Sequence, residues 1–211
     1  MPDLPPNWEQ LPRSERLQLL ELLEEAERRK SRRKIDSFFP DEGPLRRELY
    51  PKHLEFFAAG ATYRERCFLA ANRIGKSEGA GGYEIALHLT GQYPDWWPGR
   101  RFARPISAWA AGKTNETTRD IVQAKLVGSV IGGAPKTVSG TGLIYGDAIG
   151  DLNWKQGVQD LLDTVMVEHV SGGWSRLGLK CWRALKTDQL CSLKIDQGWK
   201  PGALAPGVFG L

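Results

Sequence analysis

Apolar and polar positions change their period along this chain, and each change predicts an element. Leu19, Leu22, Leu23 and Ala26 follow i, i+3, i+4, i+7, which predicts a helix with one apolar face, capped by Ser14 and running to about Lys34. Glu24 with Arg28 and Glu25 with Arg29 are i, i+4 pairs in the favourable order, and cations gather at the helix end, where the macrodipole favours them. Pro40 to Pro51 reads as a linker with turn residues. From Lys52 to about Leu179, short apolar runs alternate with helical stretches, the pattern of an α/β domain. Phe68–Ala71 predicts a strand and Ser77 to Leu89 the helix after it. Pro105 to Ala111 predicts a second strand, and Thr118, Ile121, Val122 and Leu126 mark another helix. Thr164–Val170, Ser171-Gly172-Gly173 and Trp174–Leu179 read as strand, turn and strand. Beyond Lys180 the alternation stops, and glycine and proline crowd the end.

Composition narrows the class. The chain has 211 residues, 41% hydrophobic and 26% charged, which is ordinary for a globular domain. No apolar run approaches the roughly 20 residues of a membrane span, and the start of the chain has no apolar secretory core. Cys67, Cys181 and Cys191 form no metal-ligand spacing, and their odd number argues against a disulfide framework. These points together lead us to expect a cytoplasmic protein with no membrane partner. Of the formal net charge of +4, the part after Leu179 carries +3, from five basic and two acidic residues. The body is therefore not a generally basic nucleic-acid binder. Its positive charge is local, in the run from Arg28 to Lys34. That run is either charge at a helix end or an arm that touches DNA phosphates or a partner subunit.

The candidate chemistry lies between Cys67 and Ser77. An apolar run ends in a loop closing with Gly75-Lys76-Ser77, the layout of a phosphate-binding loop. In such a loop backbone N–H groups wrap the phosphates, the lysine meets the β and γ oxygens, and the hydroxyl ligates Mg²⁺. Ala70 stands where the full pattern has its first glycine. Gly112-Lys113-Thr114 is a rival, also after an apolar run and before a helix, with Ser107 at its missing glycine. The first copy is favoured by Asn72 and Arg73 within its loop, by its place at the start of the domain, and by Gly79, Gly81 and Gly82, which suit crowding around a nucleotide. For either copy, a plain turn is the structural alternative. No apolar run ends in the Asp-Glu pair that would hold Mg²⁺ and orient water. The nearest stand-in is Glu168 after Val165-Met166-Val167, with Asp147 weaker still. His53, His88 and His169 have no ligand spacing, which points to core or surface roles. Trp96 and Trp97 either stack on bases or anchor a loop by burial.

The combination and order of several stretches carry a resemblance. They are Tyr50-Pro51-Lys52-His53 with Phe56 to Gly60, Ala70 to Ser77, Gly91 to Phe102, Ala108 to Gly112, Asn115 to Asp120, and His169 to Gly173. From about Leu49 to Leu179 the chain resembles the ATPase domain of large terminase subunits of tailed bacteriophages and prophages. The resemblance implies a P-loop NTPase-type sheet with flanking helices, incomplete here and preceded by an N-terminal helical arm. It divides the chain into an arm (1–45), a partial ATPase domain (46–179) and a divergent tail (180–211). It implies ATP and Mg²⁺ as cofactors, held by Ala71, Asn72, Arg73, Ile74, Gly75, Lys76 and Ser77. Ser77 is then the Mg²⁺ ligand and Arg73 the catalytic residue at the γ-phosphate. The implied partners are double-stranded DNA, a small terminase subunit and a portal protein, with a homo-oligomeric ring in full-length members. The chain departs from the family by ending before an RNase H-like nuclease could follow and by diverging where the acidic strand belongs. A truncated or frameshifted fragment, impaired in hydrolysis and without nuclease activity, is the resulting expectation. The alternatives are an inactive prophage remnant that binds nucleotide or a packaging partner, and an unrelated small P-loop kinase.

Overall fold

The structure is a computed structural model that describes residues 12–31, 33–71 and 73–181, with backbone alone for residues 25–31. Its helices are α1 (Arg13–Ser31), α2 (Pro51–Thr62), α3 (Tyr83–Thr90), α4 (Asn115–Thr117) and α5 (Ala124–Val127). Its strands are β1 (Ser107–Gly112), β2 (Val130–Ile131), β3 (Thr137–Val138), β4 (Ile149–Trp154), β5 (Leu162–His169) and β6 (Gly173–Cys181). Four of them form a mixed sheet in the order β1-β6-β5-β4, and β2 pairs with β3 apart from it. β1 runs parallel to β6, whereas β6–β5 and β5–β4 are antiparallel. The fold is therefore mixed α/β, as the alternation of the sequence implies.

The expected hairpin forms. In β5, Leu162, Val165 and Val167 are fully buried while Glu168 stays exposed. Val165 stands opposite Leu177, and His169 opposite Gly173. In β1, Ala108 and Ala110 are buried and alternate with less covered residues. The helix expected after the loop also forms, though its first part is wide. From Lys76 to Gly82 the backbone winds in π turns, with Ala80 N donating to Gly75 O at 3.0 Å. Gly82 makes this possible, because a Cβ there would lie 2.7 Å from Ser77 O. α3 follows with all eight residues buried, the all-round burial of a core helix.

Two local expectations are corrected. Phe68–Ala71 forms no strand and belongs to no ladder. Its apolar preference is met by ring packing instead: Phe68 lies 5.1 Å from both Phe56 and His53. Ser14 does not cap α1. The helix begins one residue earlier, with Arg16 N donating to Pro12 O at 3.0 Å, so Pro12 opens the first turn with its fixed φ. α1 ends at Ser31, and a tight 3₁₀ turn over Lys34–Ser37 follows. The expected tail, from residue 182 onward and including Cys191, lies outside the described residues.

An aromatic cluster holds the N-terminal segment to the body. Ile35 and Phe39, from the part of the sequence assigned to the arm, are buried in the common core. Phe39 sits at φ +54°, and its ring packs against Tyr50, His53, Phe57, Tyr83 and Trp96 with centroids 5.1 to 5.9 Å apart. Trp97 is buried and donates through Nε1 to Arg100 O at 3.1 Å, so this tryptophan anchors its loop by burial. His53, His88 and His169 are buried, as core histidines. Burial lowers the pKa of His53 below 6.5, partly opposed by a hydrogen bond to the backbone of Ile74.

Two outcomes follow from this packing. Gly91 ends α3 at φ +73°, and a Cβ there would lie 2.4 Å from His169 Nε2 and 2.8 Å from Val170 Cγ2. Gly91→Ala combines left-handed strain with overpacking and should lower stability by about 2–4 kcal/mol in urea denaturation. His53 is held neutral in the fold, so its contribution to stability is complete above pH 6.5 and declines as pH falls below it. The denaturation midpoint of the wild type should therefore fall more steeply between pH 7 and pH 5.5 than that of His53→Gln.

Candidate functional site

The loop before α3 combines two left-handed residues with a helix start. Arg73 has φ +65° and Gly75 has φ +83°, ψ 15°, and the wide helical turns begin at Lys76. Left-handed residues alternating with right-handed ones turn successive N–H groups toward one side and form an anion-binding concavity. The first N–H groups of the helix beyond have no partner within it, which adds donors at the same place. Lys76 is folded under its own loop, with Nζ donating to Ala70 O at 2.5 Å and Ala71 O at 2.9 Å. Ser77 is partly buried, while Ala71, Arg73, Ile74 and Gly75 are exposed. Asn72 lies outside the described residues.

Charged groups flank the loop in ways the sequence did not announce. Glu78 pairs with Lys34 from the N-terminal segment and with Lys125 of α5 at 2.8 Å. Burial works against ionisation of Glu78, yet the hydrogen bonds and charges of Lys125 and Lys34 outweigh it and hold the carboxyl below its ordinary 4.5. Arg33 bonds Gln92 and lies 4.4 Å over the Tyr145 ring. Two cations of the basic run are thus engaged by the body. Deeper in, Arg66 and Glu84 form an ion pair at 2.9 Å, and His88 Nε2 lies 3.4 Å from the same carboxylate oxygen. One signal for this group was available. Glu84 and His88 stand four apart in an otherwise apolar helix, and polar side chains there require buried partners.

The rival loop is built differently. Gly112-Lys113-Thr114 does follow a paired strand, which the first copy does not, and like it precedes a helix. Three of its backbone donors, however, are already used. Thr117 N donates to Thr114 Oγ1 at 3.2 Å, Thr114 N to Thr117 Oγ1 at 2.8 Å, and Gly112 N to Thr118 Oγ1 at 3.1 Å. This is a capping box on α4, with Thr114 in an extended conformation at φ −128°. Lys113 is exposed. Glu168 lies on β5 opposite Trp174, and Asp147 lies in the turn Gly146–Ala148. Among the described residues no hydrogen bond or ion pair links either to the first loop, and no group of three or more His, Cys, Asp or Glu is placed to hold a metal.

Comparison with known proteins adds a relationship. No family model matches the chain, and no solved structure does. The chain is similar to the large terminase subunit of Salmonella phage P22, with 36% identity over 169 residues. That match covers 74% of this chain and 31% of the relative, so the chain spans about a third of the length of the protein it resembles. Among the described residues no helix is long and apolar enough to cross a membrane. Identity at this level over most of the chain supports reading it as a fragment of a large terminase subunit, about a third of one.

Proposed function

We propose that this chain carries the nucleotide-binding part of a phage DNA-packaging ATPase. The observation that carries the reading is the left-handed pair Arg73 and Gly75 at the head of the helix that opens with Lys76 and Ser77. Relationship to a large terminase subunit supports it independently. On this reading the N–H groups of the loop receive the phosphate oxygens of ATP. Lys76 leaves the carbonyls of Ala70 and Ala71 and turns to the β and γ oxygens. Arg73, exposed and without an acidic partner among the described residues, meets the γ-phosphate.

Mg²⁺ would supply charge neutralisation between the phosphates. The residues present fit it in part: Ser77 offers a hydroxyl in the right place after the lysine, and Mg²⁺ commonly takes few protein ligands beside phosphate and water. No carboxylate bonds the loop among the described residues, so this stretch should hold nucleotide far better than it turns it over. Double-stranded DNA, a small terminase subunit and a portal protein are the partners this function requires.

Affinity for a fluorescent ATP analogue is the direct measurement. Lys76→Ala removes charge-assisted hydrogen bonds and should weaken binding by about tenfold to a hundredfold, while Lys113→Ala leaves it unchanged. A loss with Lys113→Ala alone would move the site to the second loop, and wild-type binding indifferent to both would end the nucleotide reading.

A further inference from the structure

We propose that Arg66 and Glu84 are positioning residues for the loop, a buried clamp that ties the segment entering it to the helix leaving it. The functional meaning of the clamp rests on the nucleotide reading above, but its mechanical role does not. Arg66 Nη2 lies 2.9 Å from Glu84 Oε1, with the two side chains 11% and 6% exposed. The guanidinium also donates through Nη1 to Phe56 O at 2.7 Å and lies 4.5 Å over the Phe56 ring. Its seat is cut into α2: a Cβ at Gly60 would lie 2.8 Å from Nη1.

The carboxylate is approached from the far side by a chain of polar contacts. Phe102 N donates to the Tyr93 hydroxyl at 3.0 Å, and that hydroxyl lies 2.9 Å from His88 Nδ1. The other ring nitrogen, Nε2, lies 3.4 Å from Glu84 Oε1. Arg66, α2, α3 and the aromatic loop therefore meet at one carboxylate.

Two features turn this group from a stability element into a positioning one. First, the segment entering the loop has no ladder to fix it. Phe68 contributes ring contacts and Leu69 is 90% exposed, so Arg66 supplies the directional bonds a neighbouring strand would otherwise supply. Second, a buried ion pair is a poor source of net stability, since desolvation offsets most of its attraction. What it provides is a fixed geometry, here between two chain segments that bracket Arg73 and Gly75.

The clamp is tested on the full chain with Arg66→Met/Glu84→Met, which replaces the pair by apolar side chains of similar length. The melting temperature should be nearly kept, because such replacements are often neutral. Amide hydrogen exchange of residues 67–71 and 73–77 should rise about tenfold or more, and the Kd for the ATP analogue should rise by a similar factor. Arg66→Lys is the second variant. It keeps the charge but loses the fork to Phe56 O, and should raise exchange in the same residues by a smaller factor. Unchanged exchange there in both variants overturns the clamp whatever the nucleotide data show. If the wild type shows no Lys76-dependent binding, the nucleotide reading fails, and the exchange comparison still decides the clamp.

Discussion

Every residue of α3, from Tyr83 to Thr90, is removed from water, so its polar members have no solvent to turn to. Glu84, His88 and Thr90 must each find a partner within the protein, and the partners they find lay out the surroundings. Thr90 returns its hydroxyl to Ala86 O at 2.8 Å. Glu84 draws in Arg66, and His88 draws in Tyr93, which fixes the chain at Phe102. The two ends of the helix obey the same constraint. The wide turns with their glycines let the backbone approach Ser77 and Leu143, and Gly91 lets the β5–β6 turn close over the helix end. The loop stands where it does because the helix behind it has one place to lie.

Much of this was legible in the sequence wherever period or turn residues decided the matter. The hairpin of β5 and β6 follows from two runs rich in apolar residues joined by the Ser171-Gly172-Gly173 turn. The helices after both Gly-Lys loops follow from their apolar spacing. Phe68–Ala71 was not decidable in that way. A four-residue apolar run reads equally as a strand or as a segment packed through its rings, and here ring packing prevailed. The basic run at the end of α1 is a similar case. Its charge is plain in the sequence, but the engagement of Lys34 by Glu78 and of Arg33 by Gln92 and Tyr145 spans 44 to 112 residues and leaves no local mark. Glu84 announces its need of a buried partner, but that the partner is Arg66, 18 residues away, is not marked locally.

The two Gly-Lys loops show what a short motif leaves open. Both place glycine, lysine and a hydroxyl residue ahead of a helix. In one, threonine side chains take up the backbone donors and close the turn on itself. In the other, Arg73 and Gly75 take left-handed backbone ahead of the helix. What separates them is which N–H groups are already bonded, and that depends on the residues after the motif: Thr117 and Thr118 in one, Glu78 and Gly79 in the other.

The two carbonyls that hold Lys76 have a consequence for discrimination. An incoming anion must offer the ammonium at least what Ala70 and Ala71 already give it, two short hydrogen bonds from one side. A monoanion that reaches one of those bonds gains little from drawing the lysine away. A ligand with adjacent, multiply charged oxygens replaces both at once and adds charge. On the nucleotide reading proposed above, the resting place of the lysine acts as a threshold that favours polyphosphates over small monoanions.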